Sequence, residues 1–199
     1  WLGTGFANGN AYFSIPADMV REFADGVYDE STGLVKFRNV GWFTNLDHGR
    51  RHEELPLMTM ADNLKFSKHK EIKGKAAYDR YANYDAIEVP FTDAIPSDYD
   101  GAMGVPITFL DKYNPDQFEI LGITKTWHGG ACKTYPTQTQ ISKDGSESLV
   151  SKLNDGPAIK VNERPTGQTF YRVGNENFIQ LYARVLIRRR PQPAGETTQ

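Results

Sequence analysis

Arg38-Asn39-Val40-Gly41-Trp42-Phe43-Thr44-Asn45-Leu46-Asp47-His48-Gly49-Arg50-Arg51 begins as a strand and ends as a polar, basic loop. Just upstream the pattern alternates. Val35, Phe37 and Asn39 fall on one face of an extended chain, and Lys36, Arg38 and Val40 on the other. Gly41 precedes the bulky pair Trp42-Phe43, where a bulge re-aims a strand. After Leu46 the apolar content stops, so Asp47, His48, Gly49, Arg50 and Arg51 must meet solvent or a ligand. A packed strand that delivers polar groups from its end is a common way to build a site. A core strand running into a solvated turn accounts for the same residues.

Outward from this stretch the chain reads as strands separated by turns. Ala11–Ile15 is a short strand after the Asn8-Gly9-Asn10 turn, and Pro16-Ala17-Asp18 starts a brief helix through Phe23. Asp29-Glu30-Ser31-Thr32-Gly33 is a polar turn. Tyr78, Tyr81 and Tyr84 recur every three residues, which suggests a helical turn with an aromatic stripe. Tyr84–Val89 alternates as a strand stopped by Pro90, Val105–Leu110 begins extended, and Gln117–Ile123 is a clear strand. The segment from Trp127 to about Asp155, with Gly129-Gly130 and many Ser, Thr and Lys, reads as a loop excursion. Ala158–Val161 and Thr169–Val173 return to β patterning. Phe178–Ile187 then sets Ile179, Leu181, Ala183, Val185 and Ile187 against Gln180, Tyr182, Arg184 and Leu186, the best strand in the chain. Pro191–Gln199 is a polar tail expected to be disordered. The fold class these patterns predict is α+β: a β-rich mixed sheet with short helices and long loops.

At 199 residues, 24% charged and 39% hydrophobic, the composition is that of a globular chain able to bury a core. The formal charge of −2 hides local structure. Lys65, Lys68, Lys70, Lys73 and Lys75 crowd one stretch and Arg188, Arg189 and Arg190 close the last strand, while acids gather at Asp93, Asp98 and Asp100. Such patches meet a polyanion or form ordinary solvated faces. One cysteine, Cys132, excludes an internal disulfide and fits a reducing, cytoplasmic setting. No apolar run reaches membrane-spanning length, so no membrane partner is expected. The first residue is Trp1 rather than Met, and the chain is expected to be part of a longer protein.

Four motifs invite chemistry and fail on spacing. Gly3-x-Gly5 has only two residues before it, too few for the strand that a nucleotide-binding glycine turn follows. His128 and Cys132 are too few for a zinc site. Asp98-Tyr99-Asp100-Gly101 opens like a calcium loop, but the twelfth position is Phe109, so no metal is expected. Asn114-Pro115-Asp116-Gln117-Phe118 approaches the Asn-Pro-Pro-Phe motif of amino-methyltransferases, yet Asp116 stands for the second proline and the aromatic is displaced by one. Asn114 capping a turn explains these residues, and no catalytic residue is assigned.

Three stretches together are similar to the EcoRI-type family of adenine-specific DNA methyltransferases. They are Trp42–His48 with Arg51, Tyr84–Val89, and the long run Asp98–Gly101, Met103–Pro115 and Phe118–Gly122. The resemblance covers residues 33 to 123 and extends to the last strand near Leu181–Arg190, leaving 124 to 177 without a counterpart. It implies an enzyme in two parts. An N-terminal part binds S-adenosylmethionine and carries the catalytic motif; a C-terminal part completes the sheet and recognises double-stranded DNA. Neither the cofactor glycines nor the catalytic motif occurs here in proper form. The expectation is therefore the C-terminal part, with its N-terminal half as partner and no cofactor-binding residue of its own. Residues 1–60 would complete the core sheet, 61–190 form the target-recognition region, and 191–199 the tail.

On that reading the DNA-binding candidates are Arg38, Asn45, His48, Arg50, Arg51, Lys65, Lys68 and Lys70. Arginine reads guanine O6 and N7 in bidentate fashion, asparagine reads adenine, and lysines hold phosphates. The seam toward the other half would expose Trp1, Leu2, Phe6, Tyr12 and Phe13. Two other functions stay open. One is a non-catalytic DNA-binding or regulatory module. The other is a β-rich carbohydrate- or protein-binding domain using Tyr78, Tyr81, Tyr84 and Trp127 as exposed aromatics.

Overall fold

The computed structural model describes residues 2–4, 10–15, 26–38, 40–42, 46–47, 49–125 and 130–191. The expected helix at 16–23, the candidates Asn45 and His48, residues Trp127 and His128 and the tail from 192 lie outside them. The chain divides into two units, Trp1–His48 and Gly49–Gln199.

In the first unit β1 (Leu2–Thr4) pairs antiparallel with β5 (Val40–Trp42), setting Gly3 opposite Gly41. A second sheet joins β2 (Asn10–Ser14), β3 (Tyr28–Asp29) and β4 (Leu34–Arg38) in the order β2-β4-β3. The strand predicted from Val35 to Val40 is thus shared between two sheets. The turn before it forms as the sequence predicts. The Asp29 carboxylate accepts from the Ser31 amide at 2.9 Å and hydroxyl at 2.6 Å, and Gly33 closes the turn at φ 68°. Those bonds favour the ionised carboxyl and lower its pKa. Val35 is buried, and Phe13 and Phe37 meet edge to face at 5.4 Å. Of the seam candidates, Tyr12 is exposed and Phe13 half-buried.

The second unit contains α1 (Met60–Phe66) and nine strands among its described residues: β6 (Ile87–Glu88), β7 (Met103–Val105), β8 (Phe118–Ile123), β9 (Gln138–Ile141), β10 (Glu147–Val150), β11 (Ala158–Val161), β12 (Phe170–Val173), β13 (Glu176–Gln180) and β14 (Val185–Arg189). Four make a mixed sheet, β6-β7-β14-β8, in which only β6 and β7 run parallel. Five make an antiparallel sheet, β10-β9-β12-β13-β11. Helix α1 starts at Thr59, whose hydroxyl caps the Asp62 amide at 3.1 Å. The architecture is β-rich α+β, as predicted.

Each sheet has its own core. Met103, Val105, Ile187 and Phe118 of the mixed sheet pack with Val89, Ile95 and Phe109, the Phe109 and Phe118 rings perpendicular at 5.2 Å. Tyr135, Leu153, Ala158, Tyr171 and Phe178 fill the antiparallel sheet. A third cluster, Tyr81, Tyr84, Ala86 and Leu186, packs against Ile159 and Leu181 and so joins the two. Asn83 fastens the joint. Its amide donates to the Gly156 carbonyl at 2.9 Å and its side-chain oxygen accepts from the Ala158 amide at 2.8 Å.

Four local expectations are corrected. Phe178–Ile187 is two strands in different sheets: β13 ends at Gln180, and Arg184 is turned toward the mixed sheet by Thr124, whose hydroxyl accepts from the Arg184 amide at 2.6 Å. The excursion 127–155 contains the β9–β10 hairpin. Tyr78, Tyr81 and Tyr84 lie on an irregular segment closed by the Tyr81 amide on the Ala86 carbonyl at 3.1 Å, not on a helix. After β7, Ile107–Lys112 coils into a 3-10 turn behind Pro106 rather than staying extended.

Candidate functional site

Lys65, Lys68 and Lys70 are brought together at the end of α1 and the turn after it. Buried Ser67 caps the helix through its amide on the Asn63 carbonyl at 3.0 Å. The chain then folds back, with the Gly74 amide on the Leu64 carbonyl at 2.8 Å. Ile72 plugs into the core, so the polar residues on either side of it face water. Lys65, Lys68, Lys70, Lys73 and Lys75 are all exposed.

Two of these lysines are spent nearby. Lys68 pairs with Asp93 at 2.8 Å and Lys75 with Asp79 at 2.5 Å. The Lys65 ammonium lies 4.9 Å from the Phe66 ring centroid, while Lys70 and Lys73 have no ion-pair partner among the described residues. His69 sits between them, stacked on Phe91 at 3.6 Å and bonded to Asp93 at 2.8 Å. Partial burial opposes ionisation of Asp93, but its bonds to Lys68 and His69 outweigh that and hold the carboxyl below its ordinary pKa.

The other candidates are placed as follows. Arg38 ends β4 opposite Asn10 in the first unit. Arg50 and Arg51 lie in the 3-10 turn Gly49–His52, with Arg51 half-buried. His52 is bonded to Asp116 at 2.9 Å. The Asn114 turn is structural: its side-chain oxygen accepts from the Asp116 amide at 2.8 Å and its amide donates to the Glu53 carbonyl at 3.2 Å. Of the terminal arginines, Arg189 bonds the Ser97 carbonyl and Arg190 the Pro115 carbonyl, so both fasten the last strand.

One polar cluster escaped sequence reasoning altogether. Arg184 reaches Glu88 through Nη2 at 2.8 Å and Nε at 3.1 Å, and the Tyr81 hydroxyl donates to the other carboxylate oxygen. The two charged side chains are 14% and 7% exposed, so this ion pair is buried. Burial, then the neighbouring Glu88 charge, raises the Tyr81 pKa. Nothing in the local sequence separates Glu88 from a surface strand residue.

The pair ends a cavity of about 280 Å³ walled by Leu64, Ile72, Tyr78, Ile159 and Leu181. Lys75–Asp79 and Arg184–Glu88 pair with each other along its lining, and no glycine turn opens on it among its lining residues. That does not fit a phosphate- or nucleotide-type cofactor. No cluster of three metal-ligating side chains occurs among the described residues, and none of their helices is long and apolar enough to cross a membrane.

A family model described as adenine-specific methyltransferase EcoRI matches residues 1–190. The chain belongs to the EcoRI adenine-specific methyltransferase family. It is 38% identical over 126 residues to the type II methyltransferase M.EcoRI of Escherichia coli, covering 63% of this chain and 36% of that protein. Similarity extends to two shorter matches of 86 residues, 42% identical to M.MgeORF184P of Mycoplasma genitalium and 35% identical to M.MpnI of Mycoplasma pneumoniae, both type II methyltransferases. Each match covers 43% of this chain and 24% of that relative. The chain therefore spans about a third or less of the length of these relatives. No solved structure matches it.

Proposed function

We propose that this chain is the DNA-recognition part of a site-specific DNA adenine-N6 methyltransferase of the restriction–modification type. The observation that carries the reading is the family match over residues 1–190, with M.EcoRI as a relative. S-adenosylmethionine supplies an electrophilic methyl group in such a reaction, and adenine N6 accepts it with loss of a proton. On the family reading, binding of that cofactor and the transfer step belong mainly to the remainder of the enzyme. This part holds the duplex from which adenine is extruded, a distortion costing about a few kcal/mol.

Two observations favour DNA binding over the other readings. The lysine-bearing turn after α1 is rigidly backed and open to solvent, as a phosphate contact requires. Of the aromatic residues that a carbohydrate- or protein-binding reading uses, Tyr78, Tyr81 and Tyr84 are buried and cannot form a platform, and Trp127 lies outside the described residues. The second reading, a DNA-binding module without catalytic function, differs only in whether methylation follows when the rest of the enzyme is present.

The test is titration of the chain with a mixed-sequence duplex across a salt series. Salt-sensitive binding is expected. Arg50→Ala/Arg51→Ala and Lys65→Ala/Lys70→Ala each lower affinity, and each phosphate contact removed flattens the salt slope by about 0.9. Unchanged affinity and slope in both double variants overturns the placement of the interface. No binding at low salt overturns the recognition role of this part.

A further inference from the structure

We infer that Tyr182 is a base-stacking residue, a ring held outside the protein to lie against the face of a DNA base. Its side chain is 89% exposed, the highest value among the large hydrophobic residues described. The loop that carries it is fastened on both sides. Leu181 donates its amide to the Pro157 carbonyl at 2.8 Å and packs with Tyr81, Tyr84 and Leu186. Two residues later, the Arg184 carbonyl accepts from the Thr124 amide at 2.9 Å, the Arg184 amide donates to the Thr124 hydroxyl at 2.6 Å, and the guanidinium is spent on buried Glu88. Arg184 Nη1 also reaches the Tyr182 carbonyl at 3.4 Å. The backbone on which the ring stands is therefore held in place, and stacking requires little further ordering.

The surroundings select a planar partner over a protein surface. Leu181 and Ala183 are half-buried, and Pro157 and Thr124 are closed off. Among the described residues, those flanking the ring in sequence or bonded to its loop therefore add no broad apolar patch of the kind that protein association uses. A single aromatic face suits one π-system, and every base offers one. Lys125, next to Thr124, adds a cation beside the loop for the backbone of the same strand. This inference rests on the DNA-recognition reading.

The experiment compares the whole chain with its Tyr182→Phe, Tyr182→Leu and Tyr182→Ala variants on mixed-sequence duplex and single-stranded DNA. 2-Aminopurine is placed along each strand as a stacking reporter. Phe keeps the ring and is expected to bind within about twofold of wild type. Leu keeps an apolar side chain without a π-face; Leu and Ala are both expected to bind about tenfold more weakly. The salt slope stays the same throughout, since no charge is removed. The 2-aminopurine response at the stacked position is lost with Leu and Ala. Thermal midpoints stay unchanged because the ring is solvated; if Ala unfolds, Leu decides. Wild-type affinity and reporter signal in Tyr182→Leu overturn the role of Tyr182 and leave the recognition reading intact. Absence of binding by the wild-type chain overturns the recognition reading itself.

Discussion

Glu88 is a carboxylate with almost no access to water, bonded by the Arg184 guanidinium and the Tyr81 hydroxyl. Removing one partner leaves an uncompensated buried charge. Arg184→Met is therefore expected to destabilise the protein by about 3–5 kcal/mol in urea unfolding. The double variant Glu88→Leu/Arg184→Met removes both charges and should recover most of that loss; a double variant as damaged as the single would show that the two side chains are not coupled. Gly104 belongs to the same cluster. A Cβ built on it comes within 2.1 Å of the Tyr81 hydroxyl, so Gly104→Ala forces the ring off Glu88. The expected cost is about 1–3 kcal/mol, read from the same unfolding curves. Asn83→Ala strands the Ala158 amide and the Gly156 carbonyl in the joint between the sheets, at about 1–3 kcal/mol for each group left unpaired.

At the scale of elements, the β9–β10 hairpin shows how a polar strand hides. Gln138-Thr139-Gln140-Ile141 alternates two buried ends with two half-buried centres, a pattern carried by amide side chains rather than by apolar ones. Gln138 is buried because its amide oxygen accepts from the Leu153 amide at 3.1 Å, a contact no local pattern reveals. The legible signal was Asp144-Gly145 between the two runs, a strong hairpin dipeptide. Gly145 adopts φ 84° there with open space around it, so Gly145→Ala tests backbone conformation without a clash. The expected loss is about 1–2 kcal/mol; a neutral result would mean that the turn relaxes. Strands with apolar alternation, such as β8, β11 and β12, were readable directly. Phe178–Ile187 misled because its period of two continues in register across a break between two sheets. The break depends on Thr124, sixty residues away. Of the candidate site, the lysine cluster was visible as composition. The ion pair was not, because its halves lie 96 residues apart, and burial, not sequence, distinguishes them.

Across the second unit, buried tyrosines sit in the core of each sheet and in the joint between them, and that makes the unit sensitive to alkali. Burial is the leading cause of the raised pKa at each of Tyr78, Tyr81, Tyr84, Tyr135 and Tyr171; Tyr78 is pushed up to about 12. An unfolded chain ionises its tyrosines near their ordinary value of about 10. Above that pH the unfolded state binds fewer protons than the folded one, so stability is complete below pH 10 and falls as pH rises toward 12. Several such groups titrating together make the fall steep. Thermal midpoints are expected to hold to about pH 10 and then drop, with tyrosinate absorbance at the buried positions appearing only as the protein unfolds. Tyr78→Phe removes one of these groups and loses the hydroxyl bond to the Ala94 carbonyl at 2.7 Å. It should therefore start less stable and decline less steeply with pH. A wild-type protein whose tyrosines ionise as one class while it stays folded would show that these rings are open to solvent and that their burial does not stabilise the unit.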